Sequence, residues 1–283
     1  MVFSEADIPD LASKIAIVTG GNSGIGKQTV AVLAAKGAKV YLGARSHDKY
    51  VEALRDIHAS HPSTKTSDIE FLEVDLASAA GAKASAERFK SWVVLTQWAV
   101  NVFGTFVFTY HLIPVLQHTA ETSPPGSVRI VNTSSDGAKQ APKSGIPLDD
   151  KTVGSSAGRF ERYGNSKIGI ILLTRQLARR YPNIMSLAPH PGPVQSNLTR
   201  ELGIPRPVMW ILNRIVYKPV QYGALTQLFA GTTPELPGEY NGSYLVPLAK
   251  FEKRLPHPQC YDDDFGTKVW EWNLAAMKSV DAD

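Results

Sequence analysis

The stretch "IVTGGNSGIGKQ", Ile17 to Gln28, places four glycines within seven positions directly after a β-branched apolar run. A misplaced glycine costs roughly 0.5–1 kcal/mol in backbone order. The cluster therefore marks a point where something approaches the backbone more closely than a Cβ allows. Upstream, KIAIVTG reads as a buried strand that stops at glycine. Downstream, GKQTVAVLAAKGA sets Val30, Leu33 and Ala34 at helical spacing, with Gly37 as the stop. KVYLGAR, DKYVEALRDIHAS and IEFLEVDL continue the alternation as strand, helix and strand. This order predicts an α/β chain, a Rossmann-type doubly wound parallel sheet with helices on both faces.

Further on, SVRIVNTSS reads as a strand ending in hydroxyls, and YGNSKIGIILLTRQLARRY as a long helix buried in its first half. NIMSLAPHPGPV and NGSYLVPL are further strands, and TKVWEWNLAAMK a closing helix. No linker divides the chain, so a single domain over 1–283 is expected. Residues 1–90 form its cofactor-binding half and 91–283 its catalytic and substrate half, with a lid over about 199–220.

The net charge of +4 comes without any Lys/Arg block, which argues against a nucleic-acid partner. One cysteine, Cys260, rules out an internal disulfide and a cysteine-rich metal site. The seven histidines show no ligand spacing, so no metal is expected. The N-terminal residues lack a charged-then-apolar leader, and a reducing compartment, the cytoplasm, is the expectation. Trp92 to Leu116 carries no acid, lysine or arginine and is long enough to span a bilayer. Gln97, Asn101, Thr105, Thr109 and His111 recur through it and Pro114 interrupts its end. A buried helix or helix–helix interface is favoured over a membrane segment.

Gly20, Gly24 and Gly26 stand at a strand-to-helix turn, spaced G-x-x-x-G-x-G. A helix N-terminus offers unpaired N–H groups and a partial positive charge, which bind pyrophosphate when no side chain blocks the approach. Tyr163 and Lys167 are i and i+4, so they share a helix face. A free tyrosine, with a pKa near 10, is a poor base at neutral pH. A nearby ammonium would favour its phenolate and suit it to exchanging a proton with an alcohol or carbonyl.

Thr19 and Ile25 complete a TGxxxGIG pattern, which resembles the short-chain dehydrogenase/reductase family. YGNSK matches that family's YxxxK, NVFG its NxxG at Asn101, and PGPVQS its PGxVxT segment. The resemblance is strongest to the retinol-dehydrogenase-like branch with its fungal relatives. It implies a cofactor cradle made by Gly20, Ser23, Gly24, Ile25 and Gly26, with Asp75 beside the adenine and Val194 and Ser196 at the nicotinamide carboxamide. It implies catalytic roles for Ser135, Tyr163, Lys167 and Asn101, with Tyr163, Lys167 and Asn101 also lining the cofactor. Ser135 orients the carbonyl, with Ser134 as the alternative, and Asn101 holds a water leading from lysine to solvent. An NAD-preferring site places an acid at the end of the second strand. Here that position reads Arg45-Ser46, with Lys49 beyond, which points to NADP.

The implied reaction interconverts a carbonyl and an alcohol by hydride transfer. The small-molecule substrate is expected to be lipophilic or a secondary metabolite, since Met209, Trp210, Ile211 and Leu212 lie in the lid. Relatives pair through the helix around Asn101–Leu116, so a homodimer is implied. One departure stands out. Asp75 and Asn101 are only about 25 residues apart, and no NNAG motif lies between them. The central fourth strand of the family is therefore shortened, with WVVL (92–95) as its substitute, or missing. The alternatives to a compact enzyme are a non-catalytic NADP-binding relative and a truncated gene product.

Overall fold

The computed structural model describes residues 3–66, 69–76, 96–148, 158–195 and 214–281. The WVVL segment, Ser196 and most of the lid lie outside them. Contacts group the chain into two compact units, each assembled from three segments. The first holds residues 1–74, 191–234 and 246–250; the second holds 75–190, 235–245 and 251–283.

In the first unit β1 (Ile15–Thr19), α1 (Gly24–Ala35), β2 (Lys39–Ala44), α2 (His47–Ser60) and β3 (Ile69–Glu73) follow in the expected order. Their parallel sheet is ordered β1-β2-β3, with Ile15 opposite Lys39 and Val40 opposite Ile69. Val40 and Leu42 on the middle strand are fully buried beneath Val30, Ala53 and Ile57. The unit also recruits α5 (Val220–Thr232), whose Ala224 and Leu228 join this core. Each fully buried Val, Leu or Ile contributes about 1.5–3 kcal/mol. Surface pairs such as Lys27–Asp56 and Lys39–Glu70 are screened by water, so apolar burial holds the unit.

In the second unit a helix runs from Ala99 to Thr122 (α3), opening with a π-helical turn at Ala99–Gly104. β4 (Arg129–Val131), α4 (Arg159–Arg180), β5 (Met185–Pro189), β6 (Tyr244–Val246), β7 (Lys250–Phe251) and α6 (Asp263–Asp281) follow, the strands ordered β4-β5-β6-β7. Ile168, Gly169, Ile170, Ile171, Leu172, Leu173 and Thr174 are buried without a break, so α4 passes through the centre of this core rather than lying on it by one side. Phe106 of α3 meets Trp270 of α6 edge-on at 4.9 Å, and Arg180 lies over the same indole at 4.7 Å.

By length and composition α3 could cross a bilayer, but Trp98 and Val102 press so closely on Gly169 of α4 that a Cβ there would stand 2.8 Å from each. That contact packs one side of the helix in the core, while only 33% of the apolar stretch is buried and the rest is half-buried or exposed. Pro114 does not end it, contrary to the sequence reading. The proline sits on the exposed side, where the lost N–H bond faces water, and the helix continues for eight residues to Thr122.

Among the described residues no strand lies between Glu73 and Arg129, and β1 pairs with β2 alone. Ile15 and Ile17 on β1 are 70% and 42% exposed, as an outer strand would leave them. Leu76, just past β3, instead meets α3 directly, its carbonyl seated on Gly104. The glycine of NVFG therefore serves a close approach of two backbones. Gly104→Ala should cost about 1–3 kcal/mol through overpacking, read as a lowered midpoint in urea unfolding. A midpoint equal to wild type would show that this contact is not made.

Candidate active site

The hydroxyl-rich end of β4 grips α4 at three points. Asn132 Nδ2 donates to Thr174 Oγ1 at 3.1 Å, Lys167 Nζ donates to the Thr133 carbonyl at 3.2 Å, and Ser135 hydrogen-bonds Tyr163. Tyr163, Lys167 and Thr174 are spaced four and seven residues apart, one continuous stripe of the helix. Ser135 caps a short 3₁₀ turn, Asp136–Gln140, and its Oγ accepts the Gly137 N–H at 3.0 Å. That bond orients the hydroxyl.

Sequence left Ser134 and Ser135 as alternatives, and the geometry separates them. Ser134 is buried at 1% exposure and its Oγ has no hydrogen-bond partner. Ser135 is the serine joined to the tyrosine.

Asn101 reaches the same helix despite the short interval before it. Its Nδ2 donates to Ser166 Oγ at 3.0 Å, and that hydroxyl donates to the Tyr163 carbonyl at 2.8 Å. The π turn places it there: one extra residue per turn widens the helix, and Thr105 Oγ1 closes on the Val100 carbonyl five residues back.

Electrostatics at Tyr163 depart from the sequence expectation. Burial raises its pKa above the ordinary phenol value, and the Ser135 hydrogen bond only partly opposes this. The Lys167 ammonium sits 5.5 Å from the ring centroid and is directed at a backbone carbonyl. Burial brings the pKa of Lys167 itself down to about 8. Lys167 is still largely protonated at neutral pH, but it does not offset the desolvation that burial imposes on the phenol. As it stands, Tyr163 is a protonated donor rather than a ready base.

Gly137 was not foreseen. A Cβ there would stand 2.5 Å from Tyr163 Cε1 and 3.2 Å from Ser135 Oγ. The turn after the serine must be glycine for the ring to lie on it. The DGA triplet was the only local signal.

The glycine turn belongs to the first unit. Gly20 and Gly24 adopt φ of +65° and +53°, which favour glycine, and a Cβ on Gly26 would overlap the Gly20 carbonyl. Ser23 precedes α1 without a side-chain cap, so the first N–H groups of the helix remain available to an anion. This cradle fits a dinucleotide pyrophosphate. Ile25 and Val194 converge on Gly223 of α5, where a Cβ would stand 3.3 Å and 2.8 Å from them. The side chain of Val194 therefore packs inward, and Gln195 N–H donates to the Lys218 carbonyl at 3.0 Å. Gly223, also unforeseen, brings these two segments together.

Arg45 is exposed and makes no ion pair among the described residues. Lys49 is paired with Glu52 at 3.2 Å, which draws off part of its charge. Asp75 is exposed two residues past β3. The lone thiol, Cys260, is fully buried and pushed up to about 12.

The chain is similar to known proteins in sequence and in fold. Residues 14–93 match the family model described as short chain dehydrogenase. The short-chain dehydrogenase/reductase drtF of Aspergillus calidoustus is 36% identical, covering 96% of each chain. The alignment spans 306 positions, more than the 283 residues here, so that relative carries residues without counterparts in this chain. A Mycobacterium paratuberculosis crystal structure, called putative and uncharacterized, superposes with a TM-score of 0.69 over 98% of each chain at 22% identity. The Pseudomonas aeruginosa RhlG/NADP active-site complex gives 0.58 at 23% identity, covering 84% of this chain and 95% of that one.

The Ser135–Tyr163 bond makes a direct prediction. Ser135→Ala removes the one interaction that lowers the phenol's pKa, so Tyr163 should titrate at higher pH in the variant. NMR titration with ¹³Cζ-labelled tyrosine, assigned through Tyr163→Phe, measures this. An unchanged or lower pKa would contradict the hydrogen bond.

Proposed function

The chain belongs to the short-chain dehydrogenase/reductase family, and from that premise we propose that it is an NADP-dependent oxidoreductase interconverting a carbonyl and an alcohol on a small lipophilic substrate. The observation that carries this reading is the Ser135–Tyr163–Lys167 cluster on one stripe of α4. When bound, NADPH supplies the hydride. The N-terminus of α1 with Gly20, Ser23, Gly24, Ile25 and Gly26 would hold its pyrophosphate, and Arg45 its ribose phosphate.

The residues then divide the work. Ser135 donates to the carbonyl oxygen, where negative charge grows as the carbon gains two electrons. Tyr163, kept protonated by burial, delivers its proton to that oxygen and completes the alcohol. The phenolate left behind is neutralised by Lys167, which is largely protonated at neutral pH with a pKa of about 8. Asn101 sits one hydroxyl away from the tyrosine's own backbone, a place from which it can order water for proton resupply. Oxidation runs the same transfers backwards, with the proton passing from alcohol to Tyr163.

We further propose that the protein works in the cytoplasm as a homodimer. The outer side of α3 supports the pairing, since Val115 is 55% exposed on an otherwise uncharged stretch. A second reading, an NADP-binding protein without turnover, draws on β1 having one strand partner among the described residues.

Tyr163→Phe separates the two readings. It should lower kcat by about 10²–10⁴-fold while NADPH affinity stays within a few-fold. A wild type that binds NADPH but reduces no ketone would favour the second reading. For cofactor choice, Arg45→Asp removes charge-assisted bonds of about 1.5–3 kcal/mol and should weaken NADPH at least tenfold in calorimetry, with NADH nearly unchanged. Equal losses for both would refute the NADP assignment.

A further inference from the structure

At the carboxyl end of the second sheet one polar group has no use in the chemistry above. Tyr244 of β6 is 2% exposed, and its hydroxyl has no hydrogen-bond partner. A buried unsatisfied hydroxyl costs about 1–3 kcal/mol, and each such group in a folded protein calls for an explanation.

Its position supplies one. Tyr244 lies opposite Ala188 on β5, and side chains alternate along a strand, so it shares a face with Ala188 and His190. The His190 and Tyr244 rings lie parallel within 6°, their centroids 6.4 Å apart. Val131 stands opposite Leu187, and the Asn132 and Ser134 N–H groups carry the ladder on to the Leu187 and Pro189 carbonyls. Asn132 is thereby on this face too, and it bonds Thr174 of α4. Tyr244 therefore projects from the side of the sheet that α4 covers, at the end where Ser135 and Tyr163 meet. Its phenol feels Asp136, the residue after Ser135, then Cys260 and Glu252, and least of these Tyr163. Strand ends of this kind are where open α/β sheets bind ligands.

We propose that Tyr244 is a substrate-binding residue whose hydroxyl donates to a second oxygen of the substrate, so that the preferred substrate is an oxo compound bearing an ester, carbonyl or hydroxyl oxygen near its reacting carbonyl. This rests on the oxidoreductase reading and deepens it. Tyr163 and Ser135 hold the reacting oxygen, and Tyr244 holds the other. A site built to bond an oxygen discriminates strongly against analogues that lack it, because its own donor is then left unpaired.

The test uses the full chain, NADPH, and four ketones: 2-heptanone, ethyl pyruvate, ethyl acetoacetate and ethyl levulinate, which vary the spacing of the ester oxygen. Tyr244→Phe should lower kcat/KM at least tenfold for one or more of the esters and less than threefold for 2-heptanone. Electron withdrawal by an ester acts alike in both enzymes, so the change between enzymes isolates the hydrogen bond. Tyr244→Met, which also lacks the hydroxyl, should show the same selective loss should the Phe variant fail to fold. The melting temperature of Tyr244→Phe should stay within about 2 °C of wild type or rise, since an unpaired group is removed.

Equal losses on all four ketones, or none, would overturn the proposal while leaving the oxidoreductase reading intact. A fall in melting temperature of more than a few degrees would overturn it as well, by showing the hydroxyl to be satisfied within the protein. A wild type that reduces none of the ketones would defeat the oxidoreductase reading and this proposal with it.

Discussion

The attachment of α4 to the end of β4 is the constraint on which the catalytic cluster depends. Asn132 holds Thr174, Thr133 holds Lys167 and Ser135 holds Tyr163, each bond coming from the next part of one short segment. The helix cannot rotate without breaking all three, and it is enclosed by the apolar core through Ile168, Ile171 and Leu172. Buried hydrogen bonds of this kind are worth only about 0.5–1.5 kcal/mol each. Apolar burial therefore supplies the stability, and the polar grips supply the rotation and register that set two functional side chains against one serine.

The same attachment explains the electrostatics. Burial that fixes the tyrosine and the lysine also disfavours the charged form of each. Tyr163 is raised and Lys167 lowered, so proton affinities that are nearly equal in the free groups are driven apart, and the tyrosine becomes the firmer holder of its proton. An exposed pair at ordinary values would share the proton more evenly.

Much of this was legible from local spacing. The glycines at Gly20, Gly24 and Gly26 encode their own turn, and Tyr163 with Lys167 encodes a helix face, because both depend on neighbours within a few residues. What sequence could not reach depends on contacts between distant segments. Gly137 and Gly223 look like any glycine until the Tyr163 ring and the Ile25 and Val194 side chains arrive beside them. α5 escaped notice because Gly223, Ala224, Thr226 and Leu228 bury it on several sides, leaving no polar stripe to show its period. Pro114 misled in the other direction, since its cost depends on which side of the helix meets water. The pairing of Ser135 rather than Ser134 with Tyr163 required the turn geometry itself.

Cys260 carries a practical corollary. It is the sole cysteine of the chain, it has no exposed surface, and its thiol stays protonated far above neutral pH. Maleimides, iodoacetamide and mild oxidants act on accessible thiolate, so the native chain offers them nothing. A cysteine placed at exposed positions such as Ile15 or Phe160 becomes the single reactive handle. Spin labels or fluorophores attached in pairs could then report distances and motions without any prior removal of native thiols.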